Sequence, residues 1–98
     1  MAYHIELTLR ANEEYERIVN YIAAEFGYKK ALEVEEDYFK IIQQIANNPF
    51  QFSLHNKKKN IRKCVISSQT TLYYRFDGEL IYLLSFRSNF MNPRARNL

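Results

Sequence analysis

The sequence has few of the residues that cross-link small proteins or bind metal ions. Its one cysteine, Cys64, excludes an internal disulfide and any multi-cysteine zinc site, and is typical of proteins in a reducing compartment. Only His4 and His55 add imidazole ligands, so we expect no metal site and no cofactor. No apolar run approaches the ~20 residues of a membrane-spanning helix, and the amino terminus does not have the pattern of a signal peptide. We therefore expect a cytoplasmic protein with no membrane partner.

The composition is that of an ordinary folded domain. Hydrophobic residues make up 47% of the chain and charged residues 26%, which is typical of globular rather than disordered proteins. With 98 residues, the chain can bury one modest hydrophobic core but not two. We predict a single domain over residues 1–98.

The net charge of +3 is unevenly distributed along the chain. Acidic side chains are concentrated between residues 13 and 37: Glu13, Glu14, Glu16, Glu25, Glu33, Glu35, Glu36 and Asp37. Basic side chains dominate after residue 56: Lys57, Lys58, Lys59, Arg62, Lys63, Arg75, Arg87, Arg94 and Arg96. A basic carboxyl-terminal half favours nucleic acid, phosphate or an acidic protein as a partner. A solvated lysine loop with a basic tail is the alternative interpretation.

The first half of the chain predicts a strand followed by two helices. Residues 3–7 alternate between apolar and polar side chains, as in a half-buried strand. Thr8 can cap a first helix, and Gly27 can end it in a left-handed conformation. Helical spacing of apolar residues continues over residues 28–46, and Pro49 follows where a helix must stop. These helices should form an antiparallel hairpin over the sheet.

The apolar face of the second helix is wider than one contact requires. Leu32 and Phe39 lie on its flank. They either complete the core of the domain or belong to a surface that receives another protein. Residues 50–60 form a predicted loop whose phenylalanines are covered while its lysines stay exposed to solvent.

The second half of the chain predicts a sheet. Residues 61–66 should form a strand, and residues 72–76 and 80–86 a ribbon joined by Asp77-Gly78, a favoured pair for a two-residue turn. Such a turn would place Phe76 opposite Glu79. One face of the ribbon is then mostly aliphatic and needs a core. The other face would present Tyr73, Arg75, Leu80, Tyr82, Leu84 and Phe86, and we expect an irregular chain after residue 88.

Several residues in this order of elements match a known pattern. They are Ala11, Tyr15, Ile18, Tyr21 and Ile22 in the first helix, Pro49 after the second, Ile61 and Arg62 in the central strand, residues 72–74 and 81–84 in the ribbon, and Asn92-Pro93 after it. This arrangement resembles the RelE/ParE superfamily of toxins from bacterial type II toxin-antitoxin systems, over nearly the whole chain. The resemblance implies an α+β fold, in which an antiparallel β-sheet with an N-terminal strand carries an α-helical hairpin on one face.

The resemblance also implies a function and partners. RelE-like members cleave messenger RNA on the ribosome, ParE-like members bind DNA gyrase and stall it, and both are neutralised by a cognate antitoxin. The resemblance leaves the choice between messenger RNA and gyrase open. A different interpretation is a catalytically inert protein-binding module of the same fold.

The candidate site residues follow from these implied activities. Arg62 and Arg87 are candidates for phosphate contact, since a planar guanidinium suits a phosphate. Lys57, Lys58, Lys59 and Arg75 extend the candidate nucleic-acid or partner surface, and Leu32, Phe39, Tyr73 and Tyr82 are candidates for antitoxin binding. Arg75 should also stack on a neighbouring tyrosine ring. Where nuclease members carry proton-transfer groups this chain has residues 88–91, Ser-Asn-Phe-Met, which weakens the implied nuclease chemistry.

Overall fold

A computed structural model describes residues 2–67 and 69–88 of the protein. Its elements, in chain order, are β1 (His4–Leu7), α1 (Leu9–Phe26), α2 (Tyr28–Asn47), β2 (Leu54–Asn56), β3 (Ile61–Ser67), β4 (Thr70–Phe76) and β5 (Leu80–Ser88). The strands form one sheet in the order β1-β5-β4-β3-β2, and the helix hairpin covers one face of it. Only the β1–β5 pair is parallel among the described strands. The predicted α+β fold is confirmed, and no helix within these residues is long and apolar enough to cross a membrane.

The helix ends follow the predicted local chemistry. The Thr8 hydroxyl accepts the backbone N–H of Ala11 at 3.1 Å and so caps α1. Gly27 ends α1 with a φ of +95°, a region that residues with a Cβ rarely adopt. The single residue between the helices reverses the chain direction, so α1 and α2 pack side by side.

The core lies between the helix hairpin and one face of β3, β4 and β5. Its buried members are Ala11, Ile18, Ile22, Ala31, Tyr38, Ile45, Cys64, Leu72, Tyr74, Phe76, Ile81, Leu83 and Phe86. The Tyr38 ring stacks on Phe86 with 5.7 Å between centroids. Both buried tyrosine hydroxyls donate hydrogen bonds, Tyr38 to Thr70 at 2.9 Å and Tyr74 to the carbonyl of Pro49 at 2.7 Å. These bonds fix α2 and the chain after it onto β4 without leaving a buried polar group unpaired.

The register of the ribbon differs from the prediction. Phe76 pairs with Ile81 rather than Glu79, because the turn is wider than two residues. The Asp77 carboxylate accepts the backbone N–H groups of Glu79 and Leu80, at 2.9 and 2.8 Å, and this stabilises the wider turn. The pairing is displaced by two residues, so the side chains beside the turn keep their predicted faces.

A β-bulge in β5 changes the faces farther from the turn. Tyr74 pairs with Leu83 and Tyr73 with Ser85, so Leu84 is the extra residue. Beyond it the alternation is inverted. Phe86, predicted on the open side of the ribbon, is only 2% exposed and belongs to the core.

The exposure of three apolar side chains bears on the predictions. Phe50 is 63% exposed, more than predicted, although Phe52 packs against the core as predicted. Leu32 and Phe39 are 42% and 60% exposed, which favours the surface interpretation of these two residues over the core interpretation. The predicted loop over residues 50–60 also contains the short edge strand β2. The irregular segment predicted after residue 88 lies outside the described residues.

Candidate functional site

The helix-free face of the sheet, here called the open face, carries most of the predicted site residues. Strand pairing places the open-face residues of β3 and β4 opposite each other, with Ile61 facing Arg75 and Lys63 facing Tyr73. On β5 the open face continues through Tyr82, Leu84 and, beyond the bulge, Arg87. The open face therefore combines tyrosine rings with guanidinium and ammonium groups.

A depression of about 350 Å³ lies at one end of the open face. We call it the basic concavity, and its lining residues are Arg10, His55, Asn56, Lys59, Ile61, Tyr73, Leu84, Ser85 and Arg87. A second depression, of about 610 Å³, continues from it and adds Lys58, Asn60, Arg75 and Asp77. Lys59, Ile61 and Leu84 line both depressions, so the two form one trough along the sheet.

The charge of this trough is strongly positive. Arginine and lysine side chains line it from both ends, and Asp77 is the one acidic residue among the described lining residues. Within residues 2–67 and 69–88, no ion pair engages Lys58, Lys59 or Arg87. Their charges remain available to an anion, and a concave surface concentrates the potential they produce.

Two asparagines shape the lysine turn between β2 and β3. The Asn56 side chain accepts the backbone N–H of Lys59 at 3.0 Å. Asn60 has a φ of +58°, a left-handed conformation that asparagine tolerates, and its amide donates to the Phe76 carbonyl at 2.7 Å. Lys58 and Lys59 therefore line the trough, whereas Lys57 is exposed outside the described lining.

Aromatic contacts order the remaining open-face side chains. The Arg75 guanidinium lies 5.3 Å from the centre of the Tyr82 ring, which confirms the predicted cation-π contact. The rings of His55 and Tyr73 meet edge to face with 5.0 Å between centroids. Among the described residues that line the basic concavity, His55 and Tyr73 are the two whose side chains are suited to proton transfer.

Arg62 points the other way. It pairs with the buried Tyr74, so its side chain lies on the helix-covered side of the sheet. Its guanidinium donates to the Phe52 carbonyl at 2.7 Å and lies 5.1 Å from the centre of the Phe50 ring. The structure therefore places Arg62 on the opposite side of the sheet from Arg87, the other predicted phosphate ligand. The role of Arg62 in phosphate or antitoxin contact stays a prediction.

Comparison with known proteins identifies the family. The family described as "ParE toxin of type II toxin-antitoxin system, parDE" has a sequence model that matches residues 5–93. The chain belongs to this ParE toxin family. It is therefore a toxin of the type II toxin-antitoxin class, with the RelE/ParE fold. No curated protein sequence matches the chain.

Solved structures share the fold of this ParE-family toxin at low sequence identity. The chromosomal ParDE system of P. aeruginosa superimposes with a TM-score of 0.75 at 16% identity, covering 89% of this chain and 96% of that one. A YoeB/ParE toxin from Agrobacterium tumefaciens gives 0.63 at 15% identity, with coverage of 89% and 99%. The E. coli DinJ-YafQ complex gives 0.62 at 11% identity, with coverage of 91% and 94%.

The helix hairpin of the ParE-family toxin presents a separate apolar surface. Tyr28, Leu32 and Phe39, which lie on one flank of α2, are 73%, 42% and 60% exposed. We call these three residues the hairpin surface. The charged residues of α2 are of both signs, four acidic and three basic, so this surface lacks the strong positive charge of the trough. Tyr73 and Tyr82, the other predicted antitoxin contacts, lie on the open face of the sheet instead.

Sequence reasoning missed two members of the site. Arg10 lines the basic concavity from the first turn of α1, and Ser85 lines it from the bulge of β5. Neither position carries a local signal, because the β1–β5 pairing and the bulge bring them there. Of the predicted basic residues, the trough unites Lys58, Lys59, Arg75 and Arg87.

Proposed function

We propose that this ParE-family toxin arrests growth by binding DNA gyrase, and that a cognate antitoxin neutralises it. The observation that supports gyrase as the target is the ParE family match over residues 5–93, because the superfamily resemblance assigns gyrase to ParE-like members. Solved neighbours include the ParDE system and the DinJ-YafQ complex, which supports an antitoxin partner. With gyrase as the target, the toxin acts in the cytoplasm.

The chemistry of the trough supports binding rather than cleavage. Cutting RNA at a 2′-hydroxyl requires a base, a group that stabilises the charge on the phosphate, and an acid. The trough supplies cations in excess, as Arg10, Lys59 and Arg87 show. Its described proton-transfer groups are only His55 and Tyr73, and their rings contact each other. Such a surface holds a phosphate or carboxylate chain in place.

Messenger RNA cleavage is the second candidate function, because His55 and Tyr73 share the basic concavity with Arg87. Arg87 would hold a phosphate while the imidazole accepts a proton. In the sequence His55 stands alone in a predicted loop, so its proximity to Tyr73 and Arg87 was not visible there.

Two assays decide between these targets, the first on the purified chain and the second after induction in cells. We expect inhibition of gyrase supercoiling that Arg87→Ala weakens at least tenfold, while Lys57→Ala, an exposed lysine outside the described lining, serves as the matched control. Codon-phased cuts in messenger RNA after induction, abolished by His55→Ala while gyrase stays active, would instead establish ribosome-dependent cleavage. Absence of any growth effect on induction would reject both and leave an inert binding module.

We propose that the antitoxin covers the hairpin surface and reaches the open face. Large exposed apolar side chains at helical spacing suit an amphipathic partner helix or extended segment. Phe39→Ser should weaken antitoxin rescue of growth while toxicity itself persists. Phe50→Ser, which changes an equally exposed phenylalanine in the loop after α2, is the control. Equal rescue for both variants would contradict the proposed surface.

A further inference from the structure

The edge of β5 has two successive partners. β1 pairs with it from Leu80 to Leu83 and then ends. From that point the start of α1 replaces the strand. The backbone N–H and the hydroxyl of Thr8 both donate to the Leu83 carbonyl, at 3.1 and 3.2 Å, and the hydroxyl also lies 3.2 Å from the Leu84 carbonyl.

Nearly two turns further along α1, Glu14 bonds to the two residues that follow Leu84, the extra residue of the bulge. Its Oε1 atom accepts the Ser85 hydroxyl at 2.8 Å and the backbone N–H of Phe86 at 3.2 Å. Because the pairing of β1 with β5 ends at Leu83, no described strand accepts the Phe86 N–H on this edge of β5. The carboxylate therefore takes the position that a paired strand would otherwise occupy.

The bulge decides which face receives Arg87. Leu83 lies on the core side, so unbroken alternation would place residues 85 and 87 on that side as well. The extra residue instead sends Phe86 into the core and Arg87 to the open face, opposite Thr71. Without the bulge, the basic concavity would lack this arginine.

The second carboxylate oxygen of Glu14 contacts another arginine of the same site. Its Oε2 atom lies 3.5 Å from Nε of Arg10, which lines the concavity from the first turn of α1. The Glu14 side chain is 19% exposed, against 65% for Arg10. A solvated surface pair would not also engage a strand 71 positions away, as the Ser85 contact does.

We propose that Glu14 is a positioning residue, which holds the β5 bulge through Oε1 and orients Arg10 through Oε2, so that one carboxylate sets two arginines of the basic concavity. The importance of that concavity for toxicity rests on the proposed function. The positioning itself does not.

The test compares Glu14→Gln with Glu14→Ala. Both remove the charge and weaken the pairing with Arg10, but only Gln keeps an oxygen that can accept the Phe86 N–H. Hydrogen exchange at the Phe86 amide should stay near the wild-type rate in Glu14→Gln and rise at least tenfold in Glu14→Ala. Binding of a fluorescent single-stranded oligothymidylate should fall only in part in Glu14→Gln, which loses the orientation of Arg10, and fall towards the Arg87→Ala level in Glu14→Ala.

Equal Phe86 exchange rates in the Gln and Ala variants, with the Arg87 side chain still close to Tyr73 by NMR, would overturn the proposal. If wild type binds no oligothymidylate, that result counts against a polyanion-binding concavity, and the exchange rates still decide the role of Glu14. Should Glu14→Ala fail to fold, Glu14→Asp provides the second variant. It keeps the charge but shortens the side chain by one methylene, so the Phe86 amide should again exchange faster than in wild type.

Discussion

Replacing Arg62 by alanine separates a structural role from a binding role. In the structure this guanidinium donates to the Phe52 carbonyl at 2.7 Å and lies over the Phe50 ring. A hydrogen bond from a charged donor contributes about 1.5–3 kcal/mol, which we discount to about 1 kcal/mol because the side chain is half-buried. Stacking on an exposed ring adds about 0.5 kcal/mol.

These contributions predict a loss of about 1.5 kcal/mol in the free energy of unfolding of Arg62→Ala. In a domain of this size the thermal midpoint should fall by about 6–12 °C. Differential scanning calorimetry measures this fall in the midpoint. Arg62→Lys keeps the charge without the planar guanidinium, so its midpoint should fall by nearly as much as that of Arg62→Ala. A midpoint within about 2 °C of wild type, together with lost toxicity or a weakened antitoxin complex, would refute the structural reasoning and establish Arg62 as a partner contact.

Two further substitutions and one labelling experiment test the core and the turn. Tyr74→Phe leaves the Pro49 carbonyl without its donor, so urea unfolding should show a loss of about 1–3 kcal/mol; an unchanged midpoint would contradict this. Hydrogen bonds from the backbone N–H groups of Leu80 and Glu79 lower the pKa of Asp77 in the folded protein. The Asp77 carboxylate therefore stabilises the fold fully at pH values above its pKa in the unfolded chain, and this stabilisation disappears as pH falls through its pKa in the folded protein. Asp77→Ala should therefore lose less stability than wild type between neutral pH and pH ~3, as measured by unfolding midpoints, and parallel losses would refute the assignment. Burial raises the pKa of Cys64 to about 11, so the thiol should react with a disulfide reagent at mildly alkaline pH only as fast as the chain opens, and rapid labelling of folded protein would contradict its burial.

Local sequence signals predicted the elements of this fold because their causes are local. Thr8 and Gly27 act at the helix ends through contacts within a few residues. The predicted alternation of core-facing and open-face side chains in β4 is also confirmed, because a register displaced by two residues leaves each side chain on the same face of the sheet. The ribbon register itself depended on Asp77, whose side chain widens the turn by binding two backbone N–H groups. A rule based on the Asp-Gly pair alone does not include these hydrogen bonds from the Asp77 side chain.

The site was less predictable, because contacts distant in sequence assemble it. The basic residues were recognised by type, yet whether Arg62 and Arg87 share a face depends on the bulge at Leu84. The bulge is held in turn by a helix residue, Glu14. Counting apolar positions showed that α2 offers more apolar side chains than one contact needs, but only the packing of the whole domain decides that Leu32 and Phe39 are the ones that stay exposed.

The pairing of β1 with β5 also constrains when the basic concavity can form. β5 is the last of the described strands, yet its neighbours include the first of them, and contacts such as Thr8 to Leu84 span 76 positions. Such distant contacts form late in folding, since the loop between them must close first. While a ribosome is still making the chain, Arg10 exists without Arg87, and the concavity has only one of its walls. The fold thus delays assembly of the basic concavity until synthesis of the last described strand.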